Sequence, residues 1–115
     1  NHYSIVLKLN FAEFDCLLTG DLPSEISQQL AWQEKLPLVE IIKVSHHGSE
    51  IDNPLLFYQK TQPKIAVISV GKNSFGHPSK KLIGQLEGLG IKVFRTDQEG
   101  TVEIISDGKK FWVKP

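Results

Sequence analysis

Three apolar runs in this chain each stop at a short polar cluster, and that recurring arrangement limits the folds open to it. Phe14 to Leu18 runs into Thr19-Gly20-Asp21, and Leu38 to Val44 into Ser45-His46-His47-Gly48-Ser49. Lys64 to Val70 runs into a polar loop, Gly71 to Pro78, that carries Gly76-His77-Pro78. Short runs rich in Val, Ile and Leu and bounded by turn residues predict strands. Side chains at the end of a stiff element are held well enough to share a ligand. An Asp, a His pair and a further His at three such ends therefore predict one common site.

The segments between these runs supply helices. Ser4 to Leu9 is expected as a first strand, turned at Asn10 to Glu13 onto Phe14–Leu18 as its antiparallel partner. A helix then follows, with Leu22, Ile26 and Leu30 at four-residue spacing and Pro23 in its first turn. Asp21 stands where the N-cap of that helix would stand, an alternative to any chemical role. Asn53-Pro54 opens a short helix through Tyr58, closed by Gln62-Pro63. Ser79 caps a helix with apolar face Leu82, Ile83, Leu86 and Leu89, and Gly90 follows as its C′ residue. Ile91 to Phe94 is a strand, Asp97 to Gly100 a turn, and Thr101–Ile105 pairs with Phe111–Val113 across Asp107-Gly108. Strands alternating with helices between antiparallel pairs predict an α/β fold with a mixed β-sheet and flanking helices.

Composition narrows the partners. A length of 115 residues supports one core. The formal net charge of zero excludes a binder that relies on its global field alone to hold nucleic acid or anionic lipid. One cysteine, Cys16, excludes a disulfide framework and a Cys-based zinc finger; in Phe14-Asp15-Cys16-Leu17-Leu18 it is expected as a small buried hydrophobe. No apolar run approaches the roughly 20 residues of a membrane span. Strand-like sequence begins at Tyr3-Ser4-Ile5 with no leader, so the chain is expected to be a piece of something longer.

Each polar cluster carries its own chemistry. His46 and His47 are adjacent, and on an extended backbone their side chains diverge. The expected division is one metal ligand and one neighbour facing substrate. Gly48 permits a sharp exit from the pair, and Ser49 can cap it or bond a ligand. Asp21 offers hard oxygen donors, able to bridge two Zn²⁺ or Mn²⁺ ions roughly 3.5–4 Å apart. His77 can stabilise an oxyanion or give a proton, or it is an ordinary loop histidine. Lys72, with Asn73 beside it, and Lys80 and Lys81 can contact a phosphate backbone or simply be solvated. Asp97, after Arg95-Thr96, can orient a histidine from behind or shape a turn. His2, near the start, carries no expected role. No P-loop, dinucleotide fingerprint or nucleophile elbow is present.

Taken in order, Leu-Leu-Thr-Gly-Asp (17–21), Lys-Val-Ser-His-His-Gly-Ser (43–49), Ala-Val-Ile-Ser-Val-Gly (66–71), Gly-His-Pro-Ser (76–79) and Arg-Thr-Asp (95–97) resemble the metallo-β-lactamase-like hydrolases. The resemblance is to the branch found in ComEC-type competence proteins, which take DNA into bacteria, and it spans nearly the whole chain. A phosphorylcholine esterase lies in the same branch. The resemblance implies an αββα sandwich with a two-metal site at one edge, of which residues 1–115 would be the C-terminal half, one partial domain. It implies Asp21 as the metal-bridging carboxylate and His47 as the last histidine ligand. His46 and His77 are implied as the catalytic, substrate-facing imidazoles, with Ser49, Lys72 and Asn73 at the substrate and Asp97 behind a histidine.

The reaction so implied is phosphodiester hydrolysis with two divalent ions, Zn or Mn, on DNA. The family's first ligand cluster, His-x-His-x-Asp-His, is absent from this chain. The fragment alone is therefore expected to bind metal poorly and to be inactive, with the missing N-terminal half and the membrane channel of the parent as its partners. An extracytoplasmic domain of an inner-membrane protein is the expected setting. A bare inner sheet face makes association with a second copy an expectation too. The alternatives are a phosphorylcholine-esterase-like phosphoesterase and a non-catalytic module that binds DNA or braces the channel.

Overall fold

The computed structural model describes residues 4–32 and 36–114; His2 and Tyr3 lie outside them. Five strands form one mixed sheet in sequence order: β1 (Leu7–Phe11), β2 (Phe14–Leu18), β3 (Ile41–Lys43), β4 (Ile65–Ile68) and β5 (Lys92–Arg95). β1 and β2 are antiparallel and every later neighbour is parallel. The connections are helices: α1 (Ser24–Trp32), α2 (Leu55–Thr61) and α3 (Lys80–Gly88). A short helix α4 (Thr96–Glu99) leaves β5 and leads to a separate two-stranded sheet of β6 (Ile104–Ser106) and β7 (Phe111–Val113). The α/β class and the mixed sheet are as the patterning predicts.

Strand alternation puts one row of side chains under the helices. Leu17, Ile42, Ala66 and Val93 stand side by side across β2 to β5. Leu22, Phe57, Tyr58, Leu82, Leu86 and Ile91 close over that row, with Ile26 and Leu30 of α1 and Ile83 of α3 at its margin. The neighbouring row, Leu18, Lys43, Val67 and Phe94, faces the other way. There the chain after α4 crosses at Gly100–Ile104, and Cys16 lies half-buried beneath it, its thiol pushed up by burial. Phe14 meets Phe111 with ring centres 5.7 Å apart, which ties the small sheet to this side. On β1, Leu7, Leu9 and Phe11 share that face and stay 53%, 56% and 56% exposed.

Several boundaries differ from expectation for local reasons. The first turn is tighter, with Ala12 at φ 54° and Asn10 bonded through its amide to Asp15, so β1 runs to Phe11. The expected strand over Leu38–Val44 holds ladder pairing only at Ile41–Lys43. α2 reaches Thr61, where Gln62 in a left-handed conformation ends it just before Pro63. Asp21 does not cap α1, because Thr19–Leu22 is a turn of its own and the helix begins at Ser24. Ser79 does cap α3, its hydroxyl accepting from the Leu82 amide at 3.2 Å. The turn expected at Asp97 is one turn of helix.

Leu86 is fully buried at the centre of the core. Leu86→Ala is expected to cost about 2–5 kcal/mol of unfolding free energy, whereas Leu9→Ala, exposed at 56%, should cost far less. Urea denaturation of the two variants checks the ranking.

Candidate functional site at the ends of the parallel strands

The three polar clusters meet at one edge of the sheet, the carboxyl ends of β2, β3 and β4. β2 ends in buried Thr19, whose hydroxyl donates to the carbonyl of Lys43 at the end of β3. Gly20 follows at φ 57°, and its carbonyl accepts from the His46 amide at 3.0 Å. The Ser45 hydroxyl donates to the Leu22 carbonyl at 2.8 Å. These bonds seat the turn bearing exposed Asp21 directly against the histidine pair.

The pair itself is not extended. His46 (φ 48°, ψ 51°) and His47 (φ 55°, ψ 23°) are both left-handed, within a 3₁₀-like turn over Ser45–Gly48. The expectation of side chains diverging from an extended backbone is therefore corrected. Their ring centres are 6.0 Å apart, and the His77 ring lies 5.9 Å from that of His46. Left-handed non-glycine residues cost of order 1–3 kcal/mol each unless the surroundings impose them. Here the imposing group is Asn53, which is 4% exposed. Its Nδ2 donates to the carbonyls of Ser45 (2.8 Å) and Ser49 (2.6 Å). Its Oδ1 accepts from the Ser45 amide at 3.2 Å and from the Tyr58 hydroxyl. Burial holds the Tyr58 phenol well above its ordinary pKa, so it stays a neutral donor. The residue expected only as a helix cap is the clamp of the site.

Gly48 joins the second cluster to the third. It sits at φ 84°, and a Cβ there would lie 2.6 Å from Cβ of Pro78. The Ser79 amide donates to the Gly48 carbonyl at 3.0 Å. Glycine's freedom is thus needed twice at this position, for the backbone angle and for the approach of the His77-Pro78 segment. The loop before it is braced by Asn73. Oδ1 accepts from the amides of Phe75 (3.0 Å) and His77 (3.1 Å), and Nδ2 donates to the carbonyls of Gly71 (3.0 Å) and His77 (2.7 Å). All four bonding positions of that amide are occupied within the loop. Lys72 stays exposed and lines a hollow with His47, Asn73, Phe75 and His77.

Both histidines of the pair are oriented from behind. His47 Nδ1 lies 2.7 Å from the Ser69 carbonyl, an acceptor, so Nδ1 carries a proton and, in the neutral ring, Nε2 holds the lone pair. His46 Nδ1 lies 2.6 Å from Oδ2 of Asp52, which assigns the same tautomer. Asp52 also accepts from the Ser24 amide at 3.2 Å, at the start of α1. Burial alone would raise its carboxyl, but hydrogen bonds with His46, Ser49 and that amide hold it below the ordinary range. Ser49 is buried and hydrogen-bonds the Asp52 carboxylate. Asp97 backs no histidine. Arg95 takes its carboxylate in a two-point pair at 3.0 and 2.7 Å and lowers its pKa. The carboxylate found behind a histidine is Asp52, whose only sequence signal is its place six residues beyond His46.

Each donor suits a metal: two imidazoles backed at Nδ1 by acceptors, with no hydrogen bond to either Nε2 among the described residues, and a carboxylate on the adjoining turn. The set does not complete a site, because no group of three or more His, Cys, Asp or Glu able to hold an ion occurs among the described residues.

These features define an α/β domain with a histidine-lined edge at the carboxyl ends of parallel strands, the usual ligand position in such sheets. Among curated proteins the chain is similar to one segment of competence proteins. It is 38% identical over 104 residues to ComE operon protein 3 of Bacillus subtilis (strain 168), covering 90% of this chain and 13% of that protein. It is 30% identical over 105 residues to Competence protein ComA of Neisseria gonorrhoeae, covering 90% and 15%. Recombination protein 2 of Haemophilus influenzae (strain ATCC 51907 / DSM 11121 / KW20 / Rd) is 26% identical over 105 residues, covering 90% and 13%. The chain thus spans 13% to 15% of the length of these relatives. No protein-family model matches it. The expected kinship with competence proteins is supported by these names, which speak of neither metal nor hydrolysis.

Asn53→Ala would leave the amide and carbonyl of Ser45, the Ser49 carbonyl and the Tyr58 hydroxyl without their buried partner. At 1–3 kcal/mol per orphaned group, partly relieved by water, a loss of about 3 kcal/mol is expected. The loss should come with altered His46 and His47 ring resonances in NMR spectra. A variant within about 1 kcal/mol of the parent, its histidine resonances in place, would contradict the clamp.

Proposed function

We propose that the chain is the C-terminal half of a metal-dependent phosphodiesterase or nuclease domain in a ComEC-like DNA-uptake protein. The observation that carries the reading is the grouping of the His46, His47 and His77 rings at one sheet edge, beside the turn that bears Asp21. The similarity to competence proteins supports the choice of DNA as the substrate and an uptake channel as the setting in this reading. Asp21 and His47 are the metal donors in this reading, and the remaining ligands come from the missing N-terminal half of a metallo-β-lactamase-type sandwich.

Two Zn or Mn ions in the complete domain would supply a hydroxide nucleophile at neutral pH and neutralise charge on the phosphate. His46, its Nδ1 held by Asp52, is oriented with Nε2 turned away from that carboxylate, as a proton-transferring imidazole requires. His77, beside it, is placed to donate a hydrogen bond or proton to a phosphate oxygen or leaving group. Lys72 adds a positive charge at the rim. No helix among the described residues is long and apolar enough to cross a membrane. The domain belongs on the extracytoplasmic side of the inner membrane in this reading, and the bare face along β1 is where the missing half or a second copy would pack.

The 115-residue chain alone should hydrolyse neither single- nor double-stranded DNA with Zn²⁺ or Mn²⁺. Strong chelator-sensitive cleavage by the purified chain would overturn its partial status. In the complete domain, cleavage should be chelator-sensitive, and Asp21→Ala should lower kcat by at least about a thousandfold, in the range of losing a principal catalytic group. If the complete domain binds DNA but never cleaves it, the non-catalytic module takes the place of this reading.

A further inference from the structure

Phe75 has no part in the machinery described so far, yet it is held in place beside it. The ring is 80% exposed, a costly setting for an aromatic side chain. It is not there through a slack loop, because Asn73 fixes the amides of both Phe75 and His77. The ring lies 6.0 Å from the His77 imidazole and nearly parallel to it, at 26°. It forms the ridge between two hollows. One is lined by His47, Lys72, Asn73 and His77, the other by Ser49, Glu50, Ile51 and His77. Lys72 makes no ion pair among the described residues, whereas Glu50 places a carboxylate in the second hollow. An anion is therefore favoured on the His47 and Lys72 side and disfavoured on the other.

We infer that Phe75 is a stacking platform for an unpaired nucleobase, so that the site takes single-stranded nucleic acid. The occupant must combine a flat aromatic face for the ring with an anion a short distance away for Lys72 and the imidazoles. A nucleotide joins those two features by its sugar. In a duplex the base faces are covered by their neighbours, so the ring can engage only an unpaired or terminal base. Stacking of this kind tolerates any base, since each has a π-face. The inference rests on the phosphodiester reading for its choice of ligand, but it concerns binding and is tested apart from turnover.

The test measures fluorescence anisotropy of a labelled short oligothymidylate with the chain, at low salt and with EDTA present. A second strand of equal length carries abasic sugars. Phe75→Ala should weaken binding of oligothymidylate by about tenfold, within the range for loss of one stacked base. Phe75→Trp should bind at least as well as the parent, and the abasic strand should not distinguish Phe75→Ala from the parent. The ring is exposed, so circular dichroism should show all three proteins equally folded. Equal binding of oligothymidylate by the parent and Phe75→Ala overturns the inference, as does an equal loss on the abasic strand or no binding of either strand by the parent. Loss of the Phe75 effect beside intact chelator-sensitive cleavage in the complete domain would sink the platform alone. A persisting effect without cleavage would sink the hydrolase reading alone.

Discussion

The buried amide of Asn53 is the interaction on which the site depends. It holds both sides of Ser45 and the carbonyl of Ser49, and so spans the turn that contains both histidines. Two successive non-glycine residues in the left-handed region are unfavourable on their own. A side chain with two donors and two acceptor positions can close such a turn where a backbone ladder cannot. Tyr58 secures the same amide from α2, so the geometry of the histidine pair is set by helix packing as well as by the strand before it. The close approach of Gly48 to Pro78 then carries that geometry to the third loop. The segments bearing His46, His47 and His77 are joined by that polar network, by the Gly48–Pro78 approach and by the Ser79 amide bond to the Gly48 carbonyl.

Asp52 gives this network its electrostatic direction. One oxygen takes the α1 amide of Ser24 and the other the imidazole of His46. A helix end thus shares its counter-charge with the catalytic candidate, which keeps the carboxylate ionised and the His46 tautomer fixed. His47 is oriented by a neutral carbonyl instead. The two imidazoles are consequently unequal in setting, one with a full charge behind it and the other with a carbonyl dipole.

The fold class was legible because its signals are periodic. The apolar runs at Ile41–Lys43 and Ile65–Ile68, the stripe of Leu82 and Leu86, and the Ser79 cap and Gly90 stop all act through nearest neighbours. The gathering of Asp21, His46, His47 and His77 was legible for the same reason, since each follows a strand and parallel strands align their ends. What escaped were contacts made at a distance by ordinary-looking polar residues. Asn53 looks like a helix cap, Asn73 like a loop amide free to meet a ligand, and Ser49 like a surface hydroxyl. Only the folded chain shows that each is bonded inward. The Asp97 carboxylate is paired locally, with Arg95 two residues away, a contact that its place after a strand does not signal.

The first strand has a consequence for how this molecule meets water. β1 is an edge strand, with one side paired to β2 and the other open, and Leu7, Leu9 and Phe11 rise from it in a row. The open hydrogen-bonding margin and the apolar row occur together, so one contact with another polypeptide would satisfy both. Backbone groups would find partners as the poorly wetted ribbon dried. Lys8, on the opposite side of the strand from that row, pairs with Asp15 of β2 instead of projecting a free charge along the edge. The margin of the sheet is thus an adhesive part, and it lies on the far side of β2 from the histidines that follow β3 and β4. A neighbour could cover it and leave the strand-end loops open to ligand.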